Sequence, residues 1–198
     1  PRTFMTFLHR IQAWSPAILA ALLALGFRTL RPSPPPAPAA RPIPVSAPVD
    51  AGQAAARLIE AVIQIESGGD PLKIGRHGER GLMQIQAGTW REVTARLYGA
   101  PLPFDRAFEP ALNRRVGAAY LAHLQNRLLA RRSEWKSDER ALLLAAYNAG
   151  PGRLRAARYA LERMPRSTRD YVERAGALHD TLLEDSAQAV RRRLQVSL

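Results

Sequence analysis

One carboxylate, Glu66, has the surroundings expected of a proton donor. It ends an apolar helical pattern and is followed by two glycines, in the segment ESGGD at 66–70. The carboxyl end of a helix carries partial negative charge and apolar neighbours exclude water, so both effects raise the pKa of a carboxyl group. Such an acid can protonate a glycosidic oxygen and later take a proton back. Taken alone, the pattern also describes a solvated glutamate at a frayed helix end, so the choice depends on other residues.

Three short motifs follow Glu66: GLMQI at 81–85, AYNAGPG at 146–152 and RDY at 169–171. Glutamate followed by serine, then these motifs in this order, resembles the family 1 lytic transglycosylases. Members of that family share the goose-type lysozyme fold and belong to the soluble lytic transglycosylase superfamily. The resemblance covers roughly residues 51–183. It implies that the motifs form the walls of a substrate groove in which Glu66 works.

The resemblance implies that Glu66 is the sole catalytic acid and base. Ser67 is expected to help position it, and Tyr171 to hydrogen-bond near it and tune its orientation. Gln84 is expected to contact sugar and Met83 to pack beside the acid. The substrate-binding residues implied are Ser67, Gly81, Met83, Gln84, Tyr147, Asn148 and Tyr171. For the two tyrosines and the methionine, ordinary core packing is the alternative.

The reaction implied is cleavage of the β-1,4 bond between N-acetylmuramic acid and N-acetylglucosamine in peptidoglycan, leaving 1,6-anhydromuramic ends. Ordinary glycosidases use two carboxylates, whereas here the 2-acetamido group and the 6-hydroxyl of the substrate replace the second carboxylate and water. The alternatives are a hydrolytic goose-type lysozyme and a catalytically silent glycan-binding module. Asp70 is a candidate second carboxylate, but its place before Pro71 favours a turn residue.

The loop KIGRHGER at 73–80 departs from the family pattern, which more often has small polar residues there. Its histidine, His77, is a candidate second proton donor, although a solvated loop histidine is the simpler interpretation. The histidines at 9, 77, 123 and 179 lack metal-ligand spacing, and the chain has no cysteine. We therefore expect no metal and no cofactor.

Hydrophobic periodicity predicts an all-α domain with at most one small β-hairpin. Asp50 is a predicted cap for the first helix, Ser137 or Asp138 for the fourth, and the capping box at 167–170 for the last. Glycines and a proline between Asp70 and Gln86 predict a loop or a short hairpin. The predicted helices cover about 51–66, 89–97, 110–131, 141–147, 153–163 and 167–184.

The chain divides into segments of different composition. Residues 1–30 contain a short apolar stretch that predicts a signal peptide or an N-terminal membrane anchor. Residues 31–49 are rich in proline and predict an extended linker. Residues 50–186 are the predicted catalytic domain, and residues 187–198 a basic C-terminal tail.

The 198 residues carry 29 basic and 17 acidic side chains, a formal charge of +12. This charge favours an anionic partner, although a GC-rich genome produces the same arginine bias. The export signal and the lack of a nucleic-acid motif argue against nucleic acid. We expect the periplasm of a Gram-negative bacterium, with peptidoglycan glycan strands as the substrate. Secretion or conjugation machinery and a membrane tether are candidate partners.

Overall fold

Helices account for most of the chain that the computed structural model describes, which is residues 51–196. The α-helices are α1 (Ala51–Ser67), α2 (Ala87–Tyr98), α3 (Pro110–Leu129), α4 (Glu139–Ala149), α5 (Pro151–Ala156) and α6 (Arg166–Val196). Short 3-10 helices lie at Phe104–Phe108, Arg132–Glu134 and Leu161–Arg163. Within residues 51–196 there is no strand, and only isolated bridges join Arg80 to Ile74 and to Ile85. The all-α prediction is confirmed.

Helix α4 forms the centre of the core. It packs against α3, α5 and α6, and α6 also packs along α1. Its residues 141–146 are all buried. A helix that is apolar on every side must be covered on every side, which explains its central place. The side chain of Asp138 caps this helix by accepting a hydrogen bond of 2.9 Å from the Ala141 backbone N–H, as predicted.

The end of α1 fixes the position of Glu66. Gly68 and Gly69 have φ values of +66° and +87°, a left-handed conformation that glycine adopts easily and that ends the helix. The Ser67 hydroxyl donates to the Ile63 carbonyl at 3.1 Å and accepts from the Gly69 N–H at 3.1 Å. Glu66 therefore lies in the last turn, as the sequence predicts.

The predicted helix at 153–163 is wrong in extent. Helix α5 ends at Ala156, and Arg158 and Tyr159 both adopt φ +54°. Tyr159 is buried, and its backbone groups pair with the Leu154 carbonyl at 3.2 Å and the Lys136 N–H at 3.0 Å. The burial of Tyr159 and its bond to Lys136 outweigh the local helical preference.

The last helix differs from its prediction at both ends. It begins at Arg166, so Ser167 already lies inside it and the predicted capping box is wrong. The carbonyl of Pro165 instead accepts from the backbone N–H groups of Thr168 and Arg169, at 3.0 and 3.1 Å. The helix continues past Glu184 to Val196, and this stretch of the helix contains no glycine or proline that would end it.

Several predictions fall on residues that the structure does not describe. These are the signal peptide or anchor at 1–30, the linker at 31–49, and the Asp50 cap. The domain boundaries therefore stay predictions, although residues 187–196 of the predicted tail continue α6. Within residues 51–196, every helix is too short or too polar to cross a membrane.

Candidate active site

A groove of about 730 Å³ opens beside the end of α1. One part of its lining comes from the α1–α2 loop, residues 68–86, and another from the junction of α4 and α5. Of the predicted site residues, Glu66, Gln84, Tyr147 and Asn148 line it. The structure thus brings together residues from three of the four motifs.

Glu66 is partly buried at one edge of this groove. Burial is the largest influence on its carboxyl group and raises its pKa to about 7, because removal from water disfavours the charged form. A hydrogen bond from Tyr171 and the positive charge of Lys73 lower the pKa and oppose this effect. Glu66 is therefore balanced between acid and carboxylate near neutral pH.

Tyr171 reaches Glu66 from the first turns of α6. Its hydroxyl donates to Glu66 Oε1 at 2.9 Å, and only 4% of the residue is exposed. Burial first, and then the negative charge of Glu66, raise the pKa of Tyr171 well above its usual value. The phenol therefore keeps its proton and remains a hydrogen-bond donor to the carboxylate.

Lys73 makes a second contact at the end of α1. Its ammonium donates to the backbone carbonyl of Glu66 at 2.6 Å. This satisfies one of the carbonyls left free at the helix end and places a positive charge near the carboxyl group. Sequence reasoning noted Lys73 only as part of a basic loop and assigned it no role.

Glu79 is a second carboxylate in the lining that sequence reasoning missed. Its Oε2 accepts from the His77 backbone N–H at 2.9 Å, and its Oε1 lies 3.5 Å from Gln86 Nε2 and 3.4 Å from His77 Nδ1. Burial raises its pKa, but hydrogen bonds from its own backbone, His77 and Gln86 outweigh burial and lower it. Glu79 is therefore ionised near neutral pH, with both oxygens occupied.

The interior holds Met83 away from the groove. Its side chain is fully buried and lies so close to Gly117 on α3 that a β-carbon at that position would collide with it. Its carbonyl accepts a hydrogen bond of 2.7 Å from the Tyr147 hydroxyl. Met83 therefore connects to the groove through its backbone, which corrects the expectation that its side chain contacts substrate.

Asn113, at the start of α3, fixes the GLMQI segment from behind. Its side chain is fully buried, accepts from the Met83 N–H at 2.8 Å, and donates to the carbonyls of Arg80 and Ala107 at 2.9 and 2.7 Å. Gly81, with φ +75°, packs so tightly here that a β-carbon would collide with the Ala107 carbonyl. Gly81 is thus a packing residue behind the wall, and no local signal in the sequence identifies Asn113.

The other predicted residues differ in placement. Gln84 lines the groove with φ +44°, and its Nε2 donates to the carbonyls of Lys73 and Gly81 at 3.0 and 2.9 Å. Asn148 is exposed in the lining. Ser67 does not line the groove, since its hydroxyl is used within the α1 terminus.

The two alternative chemical groups near Glu66 also have clear positions. Asp70 is exposed, lies outside the lining and accepts from the Leu72 N–H at 2.9 Å, the geometry of a turn residue. His77 lines the groove, with 76% of its side chain exposed, and contacts Glu79. Neither shows a contact with the carboxyl group of Glu66.

Known proteins resemble this chain in sequence. A family model described as the transglycosylase SLT domain matches residues 46–167. The endo-type membrane-bound lytic murein transglycosylase A of Citrobacter koseri is 35% identical over 101 residues, which are 50% of each chain. The corresponding Salmonella enteritidis protein is 36% identical over 100 residues, which are 50% of this chain and 49% of that protein. The chain spans about half the length of the curated relatives it matches.

Two solved structures similar to this chain are also lytic transglycosylases. Lytic transglycosylase Slt from Pseudomonas aeruginosa, an inactive mutant, superposes with a TM-score of 0.56 at 25% identity, covering 71% of this chain and 25% of that one. The 70 kDa soluble lytic transglycosylase of Escherichia coli gives 0.52 at 28% identity, covering 66% and 22%. These matches confirm the lysozyme-like helical fold. Because the family model covers more than half of the chain, this protein belongs to the transglycosylase SLT domain family.

Proposed function

We propose that this protein is a peptidoglycan lytic transglycosylase that uses Glu66 as its only acid and base. One observation carries the proposal: a glutamate with a pKa raised to about 7 lies at a groove and accepts a hydrogen bond from a buried tyrosine. Such a group is able to give a proton to a leaving oxygen and to take one back at the same pH. Family membership supplies the substrate class, peptidoglycan.

The reaction begins with protonated Glu66. Its proton passes to the glycosidic oxygen as the bond to the muramic anomeric carbon breaks, while the oxygen of the 2-acetamido group closes onto that carbon. The 6-hydroxyl of the same sugar then attacks the anomeric carbon, the acetamido group is released, and the hydroxyl proton returns to Glu66. The glycan ends in a 1,6-anhydro ring, no water is consumed, and the acid is regenerated.

The neighbours of Glu66 suit both halves of this cycle. Burial favours the acid that starts the reaction. The Tyr171 hydroxyl and the Lys73 charge favour the carboxylate that exists between the two proton transfers. Neither form is so stable that the other becomes inaccessible, because these opposing influences leave the pKa of Glu66 at about 7.

A hydrolytic lysozyme is the second candidate, because Glu79 offers another carboxylate in the groove. A hydrolase would need Glu79 either to activate water or to attack the sugar. Its oxygens instead accept hydrogen bonds from the His77 backbone and contact Gln86 and His77. These contacts hold Glu79 in the loop and favour the transglycosylase over the lysozyme.

Location and partners form the wider part of the proposal. We propose that the protein is exported to the periplasm, with an inner-membrane anchor as the alternative to a cleaved leader, and acts on glycan strands there. Its curated relatives are described as membrane-bound, which supports a site of action at the cell wall. Local wall opening for a secretion, conjugation or pilus machine is the role we propose for this activity.

Product analysis tests the enzymatic proposal. Purified sacculi are digested with the wild type and with Glu66→Gln, and the released muropeptides are identified by mass spectrometry. We expect anhydromuramic products from the wild type and none from the variant. Equal release by both proteins would contradict the role of Glu66, and reducing muramic ends would identify a lysozyme.

A further inference from the structure

We propose that Arg76 and Arg153 form a carboxylate-binding rim of the groove, so that the protein selects glycan strands by the acidic groups attached to muramic acid. This inference rests on the proposed function for its substrate but assigns a separate property to the site. The rim would bind a carboxylate on the lactyl side of the muramic sugar or in its stem peptide. A neutral glycan has no carboxylate for these arginines to bind.

Both arginines line the groove from different segments of the chain. Arg76 belongs to the α1–α2 loop, and Arg153 lies on α5 just after the AYNAGPG motif. Both are exposed. In the part of the chain that the structure describes, neither guanidinium pairs with a carboxylate, so each is available to a ligand.

Arg80, in the same loop, provides a contrast. Its guanidinium pairs with Asp105 at 2.5 Å and lies 4.4 Å from the ring centre of Phe104. It therefore fastens the loop to the 3-10 helix at Phe104–Phe108. Among residues 51–196, Arg76 has no ion pair or ring contact of this kind. Within one basic loop, Arg80 therefore has a structural role and Arg76 remains available for binding.

The charge of the lining favours an anion. Lys73, Arg76 and Arg153 contribute three positive charges, and ionised Glu79 contributes one negative charge. With Glu66 protonated, as the reaction requires at its start, the balance is three minus one, or +2. An approaching anion therefore meets a net attraction from the groove.

The chemistry of the ligand follows from that of the guanidinium. Arginine presents parallel N–H donors that match the two oxygens of a carboxylate. The hydroxyl and acetamido groups of amino sugars carry no charge, whereas muramic acid carries a lactyl group that ends in a carboxylate or in a peptide with carboxylates. Charge at the rim would therefore distinguish peptidoglycan from an uncharged amino-sugar polymer of the same linkage.

Binding measurements in the Glu66→Gln protein test the rim without turnover. The ligands are peptide-bearing glycan fragments, the same fragments after amidase removal of the peptides, and a chitin oligosaccharide of equal length. Dissociation constants are measured by calorimetry at low and at high salt. We expect the acidic fragments to bind more tightly than chitin, with the difference shrinking at high salt because exposed charges are screened.

Adding Arg76→Gln or Arg153→Gln should reduce the preference for acidic fragments over chitin by about two- to fivefold, the range of an exposed ion pair. Arg155→Gln is the matched control, because Arg155 lies on the same helix and lines a different cavity. It should leave the preference unchanged. Preference retained after amidase treatment shows that the rim also binds the lactyl carboxylate that the amidase sets free. Preference lost identifies the stem peptide as the ligand.

Equal binding of chitin and acidic fragments would contradict the proposed carboxylate-binding rim. An equal loss of the preference for acidic fragments in the Arg155→Gln control would contradict it as well. Failure of every glycan to bind would overturn the proposed function as well. Because Glu66→Gln removes turnover, binding can support the rim even if the products later prove to be those of a lysozyme. The two proposals can therefore fail separately.

Discussion

The hydroxyl of Tyr171 on α6 donates a hydrogen bond of 2.9 Å to Oε1 of Glu66 on α1, across 105 positions of sequence. It joins the last turn of one helix to the start of another. Burial, the largest influence, favours the acid, and the bond opposes it by favouring the carboxylate, so it increases the fraction of Glu66 that is ionised at a given pH. The packing of α1 against α6 thereby influences the pKa of Glu66.

Tyr171→Phe should move the pH dependence of the reaction to higher pH. Removing the donor removes an influence that lowers the pKa of Glu66, so the pKa should rise above about 7. The alkaline fall in kcat/KM should shift in the same direction. Loss of orientation should also lower kcat about tenfold at the optimum.

Tyr98→Phe serves as the control for this prediction, since Tyr98 is 41% exposed on α2 and does not line the groove. The measurement is the rate of turbidity loss of purified sacculi across a pH series. An unchanged alkaline limb in Tyr171→Phe would show that the hydrogen bond does not control the donor.

Lys73→Met should also raise the pKa of Glu66, because the lysine charge lowers it. The variant removes the bond from Lys73 to the Glu66 carbonyl as well. Lys73→Arg keeps the charge and is the matched variant. We expect the alkaline limb of the same activity profile to move upward in Lys73→Met and to stay near its wild-type position in Lys73→Arg. A shift of equal size in both variants would argue against an effect of charge.

The stability of the wild type should decrease with pH relative to that of Glu66→Gln. The pKa of Glu66 is about 7 in the folded protein and 4.5 as its ordinary value, so the folded state binds the proton more tightly. Its contribution to stability is complete below the ordinary pKa and is lost as the pH rises through about 7. The expected relative loss between about pH 4 and pH 8 is roughly 3 kcal/mol in the free energy of unfolding.

Urea unfolding of both proteins at each pH measures this loss. Because glutamine does not titrate, the Glu66→Gln variant retains every other pH-dependent contribution to stability. It is therefore the reference for the wild type. Parallel pH profiles for the two proteins would contradict the raised pKa.

Asn113→Ala should strongly destabilise the protein. It would leave the buried Met83 N–H and the carbonyls of Arg80 and Ala107 without this partner. We expect a loss of about 2–4 kcal/mol in chemical unfolding, together with reduced activity because the wall loses its support. Asn126→Ala, at an exposed position of the same helix, should change stability by less than about 0.5 kcal/mol. Comparable losses in both variants would contradict the role of Asn113.

Gly117→Ala should cost about 1–3 kcal/mol, because its β-carbon would collide with the buried Met83. The displaced methionine would also move the carbonyl that holds Tyr147, so kcat should fall. Gly88→Ala in α2 is the control, since no atom lies within 4 Å of its added β-carbon. That variant should be neutral or stabilised by up to about 1 kcal/mol in thermal unfolding. A neutral Gly117→Ala would show that the contact with Met83 is readily relieved.

Local signals predicted the end of α1 well, because two adjacent glycines ended the helix next to Glu66. The prediction from local signals was wrong at the start of α6. There the Pro165 carbonyl, and not the Ser167 side chain, accepts hydrogen bonds from the first helix N–H groups. Asn113 was invisible for a different reason. It bonds to Met83 thirty positions away, and such a contact leaves no pattern in either segment. The motif resemblance implied that Tyr171 lies near Glu66. The sequence of the basic loop, however, did not indicate that the charge of Lys73 lowers the pKa of Glu66 and that the charge of Glu79 raises it.

The most direct test of the central claim is digestion of purified sacculi in water enriched in oxygen-18, followed by mass spectrometry of the glycan ends. If the proton returns to Glu66 from the 6-hydroxyl of the sugar, the wild-type products end in 1,6-anhydromuramic acid, lack the heavy oxygen and are lighter by one water than reducing products. Reducing ends that carry oxygen-18 at the anomeric position would contradict the account and assign the protein as a hydrolase.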